Sequence, residues 1–179
     1  MATLERAIEL AARAHAGQTD KGGHPYILHP LRVMMAMRTD AERMAAVLHD
    51  IVEDTPVTFE DLLAEGFSDE VVDALRALTK HTGETRVAAA RRIVNNPVAR
   101  AVKLADIADN MDLSRIPDPT VRDLERLRED EAARGILLAG GASLALLVKP
   151  KGPTRLAQSF PCVRRRDVPK KYRQALVSG

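Results

Sequence analysis

The sequence has 179 residues, 45% apolar and 29% charged, which suits one globular domain with a core of its own. Aromatic residues make up 3% and Trp is missing, so the core must be Leu, Val, Ile, Met and Ala, which pack helices better than a β-sandwich. The net charge of +2 hides a basic end: residues 149–179 hold nine Lys/Arg against Asp167 alone, and an acidic body argues against a DNA-binding domain.

Apolar residues recur at helical spacing almost throughout, so an all-α fold is expected. MATLERAIELAARAH predicts an amphipathic helix over about 3–16, not a signal peptide, with Gly17 as its stop. A Gly-rich loop follows to His29, and Pro30 fits the first turn of a second helix over about 30–38. The third runs over about 40–53 with Asp40 as N-cap, and Pro56 forces an exit. Thr58 starts a short helix ending near Gly66, and Ser68 starts another over about 69–79. Two more span 85–95 and 97–112, and Thr120 starts a charged helix to about 135.

From Gly140-Gly141 onward Pro and Gly punctuate short segments. A main domain of 1–139 and a basic, loosely ordered appendage of 140–179 are therefore expected. The Arg164–Arg166 run is read as a solvated end or as an anchor for nucleic acid or the ribosome. It lacks the interleaved aromatics that stack on bases. Ile136 to Val148 falls short of the roughly 20 residues of a membrane span. The lone Cys162 leaves no intramolecular disulfide, so a cytoplasmic location is expected.

The chemistry concentrates in LHDIVEDT, Leu48 to Thr55. At about 100° per residue, His49, Asp50, Glu53 and Asp54 share one sector of a helix, while Val47, Leu48, Ile51 and Val52 face the core. Carboxylates crowded on one stripe repel each other, which a bound cation relieves; solvated acids on an exposed face are the plainer alternative. His29, at the mouth of the second helix, can complete such a site. So can Asp106, a carboxylate in an apolar helix half, whose alternative is a salt bridge to a nearby Lys or Arg. Asp109 and Asn110 share its polar face.

AHAGQ-x-DK at 14–21, GHPYILHPLRV at 23–33, LHDIVEDT at 48–55, LTK at 78–80 and VKLADIADNMDL at 102–113 come in that order. Over about residues 3–135 this set resembles the hydrolase half of the RelA/SpoT proteins, and most of all the small stand-alone (p)ppGpp 3′-pyrophosphohydrolases. The resemblance implies an HD-domain helical bundle with one divalent ion, Mn²⁺ first among several candidates, held by His29, His49, Asp50 and Asp106. It implies that Glu53 and Asp54 handle the attacking water and its protons, and that Lys21 and Asn110 contact a small nucleotide substrate. A solvated loop lysine is the alternative for Lys21.

The chain departs from that pattern at Ile107, where a basic residue is usual, at Asp109, and at Asp20 before Lys21. Each lowers the positive charge expected around an alarmone. HD-type hydrolysis of another nucleotide phosphoester is thus the first alternative, and a non-catalytic HD regulatory module the second. Nothing here matches the synthetase half of the bifunctional proteins.

Overall fold

Helix starts in this chain are written by short polar side chains. Thr3, Thr39, Thr58, Thr85 and Asn96 each accept a backbone N–H from the first turn they precede. Thr39 with Glu42 and Thr58 with Asp61 close reciprocal capping boxes. The computed structural model describes residues 1–116 and 120–147. In chain order its helices are α1 (Leu4–Ala14), α2 (Leu28–Met35), α3 (Asp40–Leu48), α4 (Ile51–Asp54), α5 (Phe59–Ala64), α6 (Asp69–Leu78), α7 (Arg86–Ile93), α8 (Pro97–Asn110) and α9 (Val121–Leu147). A 3₁₀ turn spans Leu113–Arg115, and there is no strand among the described residues.

Helix α3 lies in the middle, packed against α1, α2, α6 and α8, while α9 pairs mainly with α7. Val47, Leu48, Ile51, Val71, Leu75, Ile93, Val102 and Ile107 are fully buried in the core these helices share. Burying each aliphatic side chain contributes about 1.5–3 kcal/mol, so the aromatic-poor core is sufficient. No described helix is long and apolar enough to cross a membrane.

Several expected boundaries move, for identifiable reasons. The cap of α3 is Thr39, not Asp40, which becomes its first residue. The second helix begins at Leu28, so His29 and Pro30 both lie inside its first turn. Proline is tolerated there because the first four N–H groups of a helix have no intrahelical acceptor. The expected 40–53 helix is two helices, interrupted at His49-Asp50. The His49 ring donates from Nδ1 to the Ala46 carbonyl at 2.8 Å, taking the acceptor that a continuing helix offers the Asp50 amide.

The last helix, expected to end near 135, continues through both glycines to Leu147. Gly140 marks a close crossing: a Cβ there would sit 1.9 Å from Val94 Cγ2 at the end of α7. The boundary expected at 139/140 falls inside α9. The remainder of the appendage, residues 148–179 with Cys162 and the Arg164–Arg166 run, lies outside the described residues.

Candidate metal centre

Three separate segments deliver the charged and imidazole groups. His29 comes from the first turn of α2, His49 and Asp50 from the break between α3 and α4, and Asp106 from the middle of α8. His29, His49 and Asp106 are 6%, 4% and 4% exposed, so their polar atoms must find partners inside the protein. His29, His49 and Asp50 each present one ligand atom, all within 4.8 Å of one another. Asp106 Oδ1 lies 3.2 Å from His29 Nε2 and 3.7 Å from His49 Nε2.

The two imidazoles are anchored from behind. His29 Nδ1 donates to Asp109 Oδ2 at 2.7 Å, and His49 Nδ1 donates to the Ala46 carbonyl. In the neutral ring this leaves the Nε2 lone pairs facing the carboxylates. His49 Nε2 is buried and makes no hydrogen bond, although Asp50 Oδ2 is only 3.1 Å away. A buried lone pair set against carboxylate oxygens calls for positive charge between them, and imidazole and carboxylate donors together suit a divalent ion.

The titration shifts express the same electrostatics. Burial pushes His49 toward its neutral form, but Asp50 and Asp106 outweigh it and raise its pKa well above the ordinary value. His29 is raised in the same way by hydrogen bonds to Asp106 and Asp109 against the cost of burial. Asp106 is held well below the usual carboxylate range: burial opposes this, and Lys103 and the two histidines prevail.

The centre opens into a cavity of about 480 Å³. Glu53 and Asp54, exposed on α4, line it. Glu53 Oε1 accepts the Lys80 amide at 2.6 Å, and Tyr26 donates its hydroxyl to Asp50 and reaches Asp54 Oδ2 at 3.3 Å. Burial raises the pKa of both acids, with the Asp50 charge adding to it. Lys21 and Asn110 line the cavity too. Both are engaged within the protein, Lys21 with Asp123 across the mouth and Asn110 with Asp106 Oδ1.

Two of the sequence departures look different in three dimensions. Ile107 is a core residue at 1% exposure. Asp109 does not line the cavity; it holds His29 and is itself gripped by Arg32. Tyr26 and Arg32 were missed from sequence. Lys103, one turn before Asp106 and 2.8 Å from its Oδ2, is the lysine partner foreseen as the alternative for that acid, yet Asp106 also reaches both histidines. The signal for Tyr26 was its place three residues before His29 in HPYILHP.

The HD-domain family matches residues 7–110, more than half of the chain and the whole of the constellation. The chain belongs to the HD-domain family. Among curated relatives, this HD-domain chain is 37% identical over 147 residues to a GTP pyrophosphokinase of Streptomyces coelicolor, covering 75% of this chain and 16% of that protein. It is 37% identical over 142 residues to a guanosine-3′,5′-bis(diphosphate) 3′-pyrophosphohydrolase of Vibrio cholerae, covering 73% and 19%. The HD chain thus spans less than a fifth of either relative's length. A solved structure of a metazoan ortholog of SpoT that hydrolyses ppGpp superposes with a TM-score of 0.66 at 26% identity, covering 82% of this chain and 91% of that one.

Proposed function

We propose that this HD-domain chain is a divalent-metal-dependent phosphohydrolase that removes the 3′-diphosphate of (p)ppGpp, with Mn²⁺ held by His29, His49, Asp50 and Asp106. One observation carries the reading: two buried imidazoles and two carboxylates converge from three helical segments around the unsatisfied Nε2 of His49. The name of the Vibrio cholerae relative, and the ppGpp hydrolysis stated for the superposed ortholog, support this substrate. A cavity of about 480 Å³ is of a size to take a nucleotide.

A divalent cation supplies Lewis acidity in this position, polarising a phosphoryl oxygen and acidifying water. Glu53 takes the proton of the attacking water; its pinned Oε1 leaves the other carboxylate oxygen for that task. Asp54, steadied by Tyr26, orients the same water. The water oxygen bonds to the phosphorus as the bond between that phosphorus and the ribose 3′-oxygen breaks, and the leaving 3′-oxygen takes up a proton, giving pyrophosphate and GDP or GTP. Lys21 exchanges Asp123 for a substrate phosphate, acting as a point cation. Asn110 contacts the nucleotide from the cavity wall.

One observation favours a second reading. Among the described residues, five lysines and arginines line the cavity against eight acids, a scarce positive charge for a substrate with four or five phosphates. A nucleotide phosphoester of lower charge relieves that mismatch. Metal analysis of the purified protein, followed by ppGpp, GMP, dGMP and a cyclic dinucleotide with Mn²⁺, separates the readings. Pyrophosphate released from ppGpp alone is the expected result, and turnover of the monophosphates instead selects the second. A metal-loaded protein that hydrolyses none of them is a regulatory module, and the proposal fails.

A further inference from the structure

The two histidines facing the candidate cation are anchored differently. His49 leans on a neutral backbone carbonyl, whereas His29 donates to a carboxylate, Asp109 Oδ2. That carboxylate is itself forked by Arg32, whose Nε reaches Oδ1 at 2.7 Å and whose Nη2 reaches Oδ2 at 3.1 Å. The four residues form two pairs one helical turn apart, His29 with Arg32 on α2 and Asp106 with Asp109 on α8.

We infer that Asp109, clamped by Arg32, is a positioning residue that fixes the tautomer of His29 and aims its Nε2 at the cation. The inference rests on the metal reading above. A simple brace between α2 and α8 needs only the Arg32–Asp109 pair; here the carboxylate also receives the ring N–H. A charged acceptor behind an imidazole makes its other nitrogen a better donor to a metal. Left uncompensated, a third carboxylate beside Asp50 and Asp106 would repel both. The guanidinium offsets that charge, as Lys103 offsets part of the charge of Asp106, so Asp109 adds no net repulsion at the ion's position.

The test titrates the metal-stripped full chain with Mn²⁺ by calorimetry, comparing the parent with Asp109→Asn, Asp109→Leu and Asp109→Leu/Arg32→Leu. Affinity is expected to fall in the order parent, Asn, Leu. The Leu variant, which lacks an acceptor, should lose about 10–100-fold, the range for deleting a carboxylate that supports a metal-binding histidine. The double variant removes the stranded guanidinium and is expected to stay at least about tenfold weaker than the parent. The visible spectrum of the Co²⁺-loaded variants should shift, a change that loss of a structural brace, read as a lower melting temperature of the metal-stripped Leu variants, would not by itself produce. The Asn variant, nearly isosteric, keeps the test open should the Leu variants not fold. Equal affinity across the series, or full recovery in the double variant, overturns the inference and leaves the metal centre standing. A parent that takes up no divalent ion overturns both.

Discussion

Glu53 divides its carboxylate between two neighbours' needs. One oxygen receives the Lys80 amide, and the side chain is exposed along the cavity wall. Glu53→Gln keeps an acceptor for that amide and alters only the oxygen available to water. The expected result is a kcat lower by about 10²–10⁴-fold with Mn²⁺ affinity unchanged, read by pyrophosphate release and by calorimetry. Equal kcat in both proteins would remove Glu53 from the chemistry. Glu53 and Asp54 stood out in the sequence as crowded charge and Asp106 as a carboxylate in an apolar helix half, whereas His29 drew notice through its place at the mouth of the second helix and through the resemblance. Tyr26 and Arg32 were not, since a tyrosine in a loop and an arginine on a helix are unremarkable until Asp50 and Asp109 stand opposite them. Asp109 shows the reverse error. Its charge was legible, but its direction was not, and it faces a histidine instead of a substrate.

Among the elements, the α6–α7 turn reaches the cavity through Lys80. Arg92 reaches back from α7 to the carbonyls of Ala77 and Thr79 and grips both oxygens of Glu84 at 3.0 and 2.8 Å. The Arg92 hydrogen bonds lower the pKa of Glu84 from the ordinary 4.5 to about 2. A carboxylate lowered in this way contributes stability that is fully present above pH 4.5 and is lost as the pH falls toward about 2. Glu84→Gln is therefore expected to melt about 2–4 °C below the parent at pH 7, the equivalent of about 1 kcal/mol. The gap should close near pH 2; a gap independent of pH would contradict the ion pair.

Two of the three glycines of α9, Gly135 and Gly140, make a matched pair. Gly135 is exposed with open space around its Cα, so Gly135→Ala should raise stability by about 1 kcal/mol. Gly140→Ala drives a methyl into Val94 and should lower the melting temperature, with Val94→Ala restoring it. Helix existence could be read from apolar spacing and capping residues, as at Thr58. The end of α9 could not, because Gly140 is explained by a helix 46 residues earlier in the chain rather than by its neighbours.

For the molecule as a whole, the candidate centre joins α2, the α3–α4 break and α8 through one point, so a cation bound there would tie these segments together. Mn²⁺ at 100 times its dissociation constant should stabilise the fold by about 2.7 kcal/mol. That is a rise of roughly 5–10 °C for a chain of this size, reversed by chelation and followed by calorimetry. A melting temperature indifferent to Mn²⁺ would argue against binding. The all-helical class followed from composition. The placement of α9 along α7, both of which line the cavity, has no counterpart in local pattern, because it depends on contacts far apart in sequence. The backs of both rings, on Ala46 and Asp109, carry a kinetic consequence. With the imidazoles already aimed, loading asks the protein to release ring protons rather than to turn the rings, and above the raised pKa of the two histidines the pace of uptake passes to the hydrated ion. Mn²⁺, which exchanges its water quickly, would then enter far faster than Ni²⁺, even where both finally saturate the protein.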